Sequence, residues 1–230
     1  MESININTYD IIYIYMEQKP KIIYIIGMHR CGTSLLANCL IKNGFSIGKS
    51  KNKDKDWQNP NGYFENDTFT EMHEKLLDYN KSSWNTITKK QMKYTQEHIE
   101  LYRKLLKSEF INEELILIKD PRLTFFVEFL KEVCANNYEY KFLFLTRNKI
   151  ECCNSLNKAQ NLPLQKCTAL YDITMNKYSK EFLMINHNDI INKNSVVIKN
   201  IGNHCGMYFN HDTANLVNME LYRNRVIDKV

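Results

Sequence analysis

Three short apolar runs dominate the hydrophobic pattern of the chain, at residues 21–26, 115–118 and 140–145. They consist almost entirely of Ile, Leu, Tyr and Phe without regular polar alternation, which is typical of parallel strands buried on both faces. Two weaker runs, at 182–185 and 195–198, predict two further short strands. The pattern therefore predicts a largely buried parallel sheet.

Segments of helical character separate these runs. The predicted helices cover about 33–43, 66–80, 91–109 and 122–135, and two more begin after Asn148 and near Pro163. Pro121 suits the first turn of a helix, and Asn148 with Glu151 three residues later resembles a capping box. Strands that alternate with helices in this way predict a three-layer α/β/α fold around a central, mostly parallel sheet.

The organisation of the chain indicates a single domain over residues 1–230, because this length is enough to bury one full core. Residues 45–65 combine Gly, Pro, Asn and Lys with weak periodicity and predict a long loop. Loops of this length are often lids or binding segments. We therefore expect an insertion at about 45–110 beside a binding site. The residues after Asn200 show no clear pattern.

The most distinctive polar clusters follow directly after Ile26, Ile118 and Leu145, where the three strong strands are predicted to end. Parallel α/β sheets bind their ligands at the carboxyl ends of the strands. We therefore expect these clusters to form one site.

The first cluster, Gly27-Met-His-Arg-Cys-Gly-Thr-Ser34, has the glycine spacing of a phosphate-binding loop. In such a loop, backbone N–H groups and the N-terminus of the following helix surround an anion. The lysine that follows the second glycine in nucleoside triphosphate loops is replaced by Thr33, and Arg30 is the only cation of the loop. An ATPase or kinase is therefore disfavoured, and a glycine-rich turn without a ligand stays an alternative.

Composition and charge narrow the function classes further. The net charge of +5 suits an anionic ligand, but the Lys and Arg residues are spread along the chain, which argues against nucleic acid as a partner. The seven cysteines contain no C-x-x-C spacing, so neither a disulfide framework nor a zinc site is indicated. The apolar run 11–16 is too short for a bilayer and lacks a basic n-region. We therefore expect a cytoplasmic protein without a membrane partner.

The segment Gly27-Met-His-Arg-Cys-Gly-Thr-Ser-Leu-Leu36 resembles the 5′-phosphosulfate loop of the sulfotransferase superfamily, which uses 3′-phosphoadenosine 5′-phosphosulfate (PAPS). Leu145-Thr-Arg-Asn148 followed by Ser155 resembles the family's 3′-phosphate motif, an Arg at a strand end and a Ser eight residues later. The segments Ile118–Arg122 and Asn59–Glu65 resemble those of bacterial-type members. The resemblance implies a P-loop-type fold and transfer of the PAPS sulfonate to an acceptor hydroxyl.

The resemblance, which spans roughly residues 21–185, also implies roles for single residues. Arg147 and Ser155 stand at the 3′-phosphate contacts, and Arg30 stands at the sulfonate contact. The loop residues implied in donor binding are His29, Arg30, Cys31, Gly32, Thr33 and Ser34. Lys119 is expected to assist the bridging oxygen or the sulfonate. Because loop N–H groups with these cations can offset the developing charge, we expect no metal ion.

A base must take the proton of the acceptor hydroxyl. Glu65 is the first candidate, because the bacterial-type and tyrosine-directed branches of the family use a glutamate base. Its alternative role is that of an acid at the N-terminus of the predicted helix 66–80. Asp120 is the second candidate, and its alternative role is a structural carboxylate paired with Arg122 or Arg147. His29 is the third candidate, and the choice among these stays open.

The acceptor is not defined by the sequence, and carbohydrate is preferred because bacterial-type relatives often act on glycans. Aromatic residues in or near the expected lid can stack on a sugar or phenol, or belong to the core: Trp57, Tyr63, Phe64 and Trp84. Arg223 and Arg225 are candidates to complete the 3′-phosphate site. The alternatives are a P-loop kinase for a small molecule and a nucleotide-binding module without turnover, and the oligomeric state stays open.

Overall fold

The computed structural model describes residues 19–52, 59–86, 90–178 and 181–209. Within these ranges, four parallel strands form one sheet: β1 (Lys21–Gly27), β2 (Leu115–Lys119), β3 (Glu139–Thr146) and β4 (Leu183–Asn186). The strand order is β2-β1-β3-β4. The long, apolar β1 is therefore a central strand with a neighbouring strand on each side.

Helices cover both faces of the sheet. In the described ranges they are α1 (Thr33–Lys42), α2 (Asp67–Tyr79), α3 (Gln96–Glu109), α4 (Val127–Cys134), α5 (Lys149–Gln160), α6 (Leu164–Tyr178), α7 (His187–Ile191) and α8 (Ser195–Cys205). A 3₁₀ turn, Pro121–Phe125, joins β2 to α4. This arrangement confirms the predicted α/β fold with a parallel sheet between helical layers. None of the described helices is long and apolar enough to cross a bilayer.

Alternate side chains of β1 enter two separate cores. Ile22 and Tyr24 pack with buried residues of α2, α3 and α4, whereas Ile23 and Ile25 pack with α1, α7 and α8. A third apolar cluster joins Met28 and Cys31 of the loop after β1 to α5 and α6. The loop after β1 is thereby held between packed elements.

The predicted strand at 195–198 is wrong, because these residues begin α8. The side chain of Asn194 accepts hydrogen bonds from the backbone N–H groups of Val196 and Val197 and so caps the helix. The buried positions Ile198, Ile201 and Cys205 continue at helical spacing. A run of three apolar residues, Val196–Ile198, is too short to reveal this period.

Two other differences concern helix boundaries. The helix predicted at 91–109 begins at Gln96, because Thr95 caps it by accepting from the His98 N–H group. The helix predicted at 122–135 is divided into the 3₁₀ turn and α4. The short helix α7 was not predicted. The apolar run 11–16 lies outside the described residues.

The strand register brings the three predicted clusters to one edge of the sheet. Lys119 pairs with Ile25 of β1, and Leu145 of β3 pairs with Gly27. The three strands therefore end within three residues of one another, and the polar residues at their ends share this edge.

Candidate active site

The two glycines of the loop after β1 are required by close backbone packing. A Cβ atom on Gly27 would lie 2.6 Å from the carbonyl oxygen of Leu145, and one on Gly32 would lie 2.2 Å from Cδ2 of His187. Both glycines also have φ values, +145° and +92°, that L side chains rarely adopt. Thr124 fixes the start of the loop, since its hydroxyl accepts from the Gly27 N–H group and donates to the Gly27 carbonyl.

The N-terminus of α1 faces this loop. Gly32 occupies the N-cap position without a side-chain hydrogen bond, and the first turn of α1 holds no acidic residue. The leading N–H groups of a helix carry partial positive charge and bind anions. Thr33 and Ser34 lie in this first turn, at the helix end that the loop motif predicts to bind an anion.

Three of the predicted donor-binding residues meet although they come from three different elements. Arg30 Nε donates to Ser155 Oγ of α5 at 3.1 Å, and Arg147 Nη1 donates to the Arg30 carbonyl at 3.1 Å. Arg147 also donates through Nε to Glu151 Oε2 at 3.0 Å. Arg147 is 9% exposed and Ser155 is 5% exposed. The guanidinium of Arg147 is therefore held in a buried ion pair rather than a surface one.

Lys119 and Glu65, both predicted catalytic residues, form a direct ion pair. The distance from Lys119 Nζ to Glu65 Oε1 is 2.6 Å. Lys119 Nζ also donates to the carbonyl oxygen of Tyr63 at 3.1 Å. Glu65 does not cap α2, because the side chain of Asn66 takes that position. The carboxylate of Glu65 thus lies beside the cation that closes β2 rather than on the helix end.

The segment 59–65 contacts the first turn of α1. Ser34 Oγ donates to the Tyr63 carbonyl at 3.3 Å and accepts from Asn59 Nδ2 at 3.0 Å. The carbonyl of Tyr63 therefore accepts from both Lys119 and Ser34. These contacts place one side of the loop predicted at 45–65 over the N-terminus of α1.

Asp120, the second candidate base, is fixed in a buried network. Its Oδ2 lies 2.8 Å from Nδ1 of His73, and its Oδ1 accepts from the backbone N–H and Nη1 of Arg122, each at 2.9 Å. Nε2 of His73 in turn lies 3.1 Å from the Tyr102 hydroxyl. Burial acts to raise the pKa of Asp120, but His73 and Arg122 outweigh it and hold that pKa well below its usual range. These contacts match the alternative role of Asp120 as a structural carboxylate.

His29, the third candidate base, stacks against Trp84 with ring centroids 4.5 Å apart. Its Nε2 is buried and has no hydrogen-bond partner in the described residues. Burial, with the positive charges of Arg122 and Lys119, lowers the pKa of His29 to about 3 despite the opposing charge of Asp120. The imidazole is therefore neutral at pH 7 and is a weak base.

The side chain of Cys31 is buried in the third apolar cluster. Its Sγ lies 3.2 Å from Sγ of Cys152, inside the third apolar cluster. The hydrogen bond with Cys31 and the burial of the thiol raise the pKa of Cys152. Both residues are free, fully buried thiols. The side chain of Cys31 therefore serves in packing, and only its backbone could contact a ligand.

His187, at the carboxyl end of β4, was missed by the sequence analysis. It packs against Gly32 and is 5% exposed. Burial and then the charge of Arg147 lower its pKa to about 4, against smaller opposing effects of Glu151 and Asn188. Its place two residues after the predicted strand 182–185 is the signal that could have identified it.

Other candidates contribute less to the described site. Tyr63 and Phe64 are half-buried beside Glu65, and Trp84 packs between the first and third apolar clusters. Trp57, Arg223 and Arg225 lie outside the described residues. In the part of the chain that the structure describes, no group of three or more His, Cys, Asp or Glu residues is arranged to hold a metal ion.

Comparison with solved structures finds sulfotransferase domains. The sulfotransferase domain from the Synechococcus PCC 7002 olefin synthase is similar with a TM-score of 0.51 at 16% identity, over 86% of this chain and 77% of that chain. The sulfotransferase domain from the curacin biosynthetic pathway has a TM-score of 0.48 at 16% identity, with the same coverage of both chains. No protein-family model matches the sequence, and no curated protein matches it. The first similarity confirms a sulfotransferase-like α/β fold, and identity this low supports the fold alone.

Proposed function

We propose that this protein binds PAPS and transfers its sulfonate to a hydroxyl group of an acceptor. The observation that carries the proposal is the meeting of Arg30, Arg147 and Ser155 beside the N-terminus of α1. The sequence resemblance assigns these residues to the two ends of one bisphosphorylated donor. Their contact across three elements supports a single binding site for such a molecule.

The chain offers separate groups to the two phosphate positions of the donor. The N–H groups and hydroxyls at the start of α1 suit the 5′-phosphate, because they combine helix-end charge with hydrogen-bond donors. Arg147 and Ser155 suit the 3′-phosphate, since a guanidinium can bond two phosphate oxygens at once. A nucleotide without the 3′-phosphate would leave this second position unused, which is the basis for discrimination against ATP.

Lys119 and Glu65 fit the chemistry of the transfer step. As the acceptor oxygen bonds to sulfur, the bond from sulfur to the bridging oxygen breaks and adenosine 3′,5′-bisphosphate departs. Lys119 is positioned to stabilise the charge that develops on this oxygen, and the carboxylate of Glu65 takes the proton of the hydroxyl. The distance of 2.6 Å between Lys119 Nζ and Glu65 Oε1 supports a joint role of these two residues in the transfer step. Carbohydrate is the acceptor class that we prefer.

Calorimetric titration with adenosine 3′,5′-bisphosphate tests the donor site, with magnesium-ATP and AMP as comparisons. We expect binding of the bisphosphate without metal, and a loss of about tenfold or more in affinity for Arg147→Ala, since a charged hydrogen bond is removed. Arg103→Ala is the matched control, because Arg103 bonds only backbone carbonyls at the end of α4 among the contacts seen. Binding of magnesium-ATP with no response to the bisphosphate would favour the kinase alternative.

Turnover tests the catalytic assignment separately. With 4-nitrophenol and a chitooligosaccharide as acceptor probes, we expect Glu65→Gln to lower the rate by about 10²-fold or more, as for loss of a general base, with bisphosphate affinity preserved. A protein that binds the bisphosphate but transfers sulfonate to no acceptor would be the binding module without turnover. An unaltered rate in Glu65→Gln would remove Glu65 as the base.

A further inference from the structure

Glu109, the last residue of α3, carries a carboxylate that is satisfied by four neutral donors. Its Oε2 accepts from the Ser50 N–H group at 2.8 Å and from Asn66 Nδ2 at 2.9 Å. Its Oε1 accepts from the Ser50 hydroxyl at 2.8 Å and from the Thr68 hydroxyl at 3.1 Å. Glu109 is 9% exposed. Burial acts to raise its pKa, but these hydrogen bonds outweigh burial and lower the pKa, so the group stays ionised.

The donors come from both ends of one loop. Ser50 lies at its start, and Asn66 and Thr68 lie at its end, where α2 begins. We call Glu109, Ser50, Asn66 and Thr68 the loop clasp. Backbone hydrogen bonds join the same two ends, since Asp67 N–H donates to the Ser50 carbonyl at 2.8 Å. The clasp therefore closes the base of the loop through side chains and backbone together.

The residues of the loop clasp are also packed closely against the start of the loop. Asn66 Nδ2 donates to the Ile47 carbonyl at 2.9 Å in addition to Glu109. A Cβ atom on Gly48 would lie 2.7 Å from the same nitrogen, and φ of Gly48 is +82°. A glycine at this position lets the loop approach the side chains of the clasp closely.

The position of Glu109 is not explained by its own helix. The carboxyl end of a helix carries partial negative charge, so an acid there is unfavourable. The four hydrogen bonds of Glu109 all reach the loop and the start of α2. The stabilisation that this carboxylate provides thus acts on the loop.

The clasp lies one residue from the proposed catalytic groups. Asn66 follows Glu65 directly, and the Glu65 carbonyl accepts from the Asn52 N–H group at 2.7 Å. We infer that Glu109 is a positioning residue, which fixes the base of the loop so that Glu65 and the Tyr63 carbonyl are held against Lys119. The inference rests on the proposed function for its effect on turnover. The anchoring itself is independent of any ligand.

Hydrogen exchange of the ligand-free protein tests the anchoring. The readout is the exchange rate of the amides of Ser50, Asn52 and Asp67, which donate within and beside the clasp. Glu109→Ala is expected to accelerate their exchange by about tenfold or more, as local opening becomes easier. Glu109→Gln is expected to stay near the wild-type rates, because the serine and threonine hydroxyls can accept from the new amide as well as donate to its oxygen. Glu113→Ala, at an exposed acid after the same helix, is the matched control.

Two solution measurements then test the effect on the site. For Glu109→Ala we expect a rate of 4-nitrophenol sulfonation at least about tenfold lower, with the affinity for adenosine 3′,5′-bisphosphate changed by less than about threefold. For Glu109→Gln we expect both quantities near those of the wild type. If Glu109→Ala does not fold, Thr68→Val removes one hydrogen bond of the clasp and should accelerate the same amides to a smaller extent.

The outcomes separate this inference from the proposed function. Unchanged exchange in Glu109→Ala would overturn the inference while leaving bisphosphate binding to decide the function. Equal losses of turnover and bisphosphate affinity would also overturn it, because a general structural role predicts both. Accelerated exchange in a protein that binds no bisphosphate would refute the proposed donor, and with it the effect on turnover, but would retain Glu109 as the anchor of the loop.

Discussion

Replacing Asp120 with Asn distinguishes a structural carboxylate from a catalytic base. The substitution keeps the shape of the side chain but removes its charge and one of its two acceptor oxygens. Asp120 is 2% exposed and its partner His73 is fully buried, so water cannot replace the lost interactions easily. Loss of a catalytic base would lower the rate of sulfonate transfer, whereas loss of a structural carboxylate would lower the free energy of unfolding.

The expected loss of stability follows from the contacts. The carboxylate accepts three hydrogen bonds, one involving His73 and two from Arg122. The amide oxygen can retain two of them, while the bond to His73 and the attraction to the guanidinium are weakened. Hydrogen bonds that involve a charged group contribute about 1.5–3 kcal/mol each, and breaking a buried pair costs about 3–5 kcal/mol. We therefore expect Asp120→Asn to lower the free energy of unfolding by about 3 kcal/mol.

Urea unfolding measures this loss, with Asp78→Asn on the exposed side of α2 as the control, expected to change it by less than about 0.5 kcal/mol. Because the pKa of Asp120 is depressed in the folded state, its contribution is complete above the ordinary value of 3.8 and declines as the pH falls below that value. The difference between wild type and variant should shrink in the same range. A loss below about 1 kcal/mol combined with a rate reduced about 10²-fold or more would refute the structural role and make Asp120 the base.

The remaining predictions concern the phosphate-binding loop and the histidine that packs on it. Gly32→Ala should weaken binding of adenosine 3′,5′-bisphosphate by about tenfold or more in calorimetry, because the new Cβ would displace His187. Gly44→Ala is the control, since Gly44 has a similar φ of +95° and no atom lies within 4 Å of its Cβ position. This control should cost only about 1–2 kcal/mol of backbone strain and leave binding intact. Since the pKa of His187 is lowered to about 4, its stabilisation is complete above the ordinary value of 6.5 and is lost as the pH falls toward 4. Relative to His187→Asn, the wild type should therefore lose about 2 kcal/mol of unfolding free energy between about pH 7 and 5, and equal pH dependence of the two proteins would contradict the lowered pKa.

The sequence predicted the edge of the sheet where the site lies, because local patterns determine it. Continuous apolar runs identify buried parallel strands, and a strand end fixes where the next polar residues stand. Lys119 is the last residue of β2, and Arg30 and Arg147 follow β1 and β3 within three residues. They meet because β2, β1 and β3 are neighbours in the sheet. The resemblance then assigned roles to them.

The partners of these residues could not be predicted in the same way. Asp120 bonds His73, which is 47 residues distant, and Glu109 bonds Ser50, which is 59 residues distant. Neither pair has a spacing that a helix or strand period would reveal. The error at 195–198 has a related cause, because the buried partners of α8 lie in a core that the local run does not show. A sequence pattern thus shows that a segment is buried more directly than it shows which distant residues the segment packs against.

The cations of the candidate site are already hydrogen-bonded to carboxylate and carbonyl oxygens, and this affects how PAPS would bind. Arg147 is paired with Glu151, and Lys119 with Glu65 and the Tyr63 carbonyl. Such pairs keep the cations in fixed positions, which lowers the ordering cost of binding, but an incoming anion must compete with each of them. Lys119 has three N–H donors and uses two of them on Glu65 and the Tyr63 carbonyl. A turn of this ammonium toward the sulfonate would lengthen its bond to Glu65 and make the carboxylate a better proton acceptor. Under the proposed function, occupancy of the donor site and availability of the base are thus coupled through one ion pair.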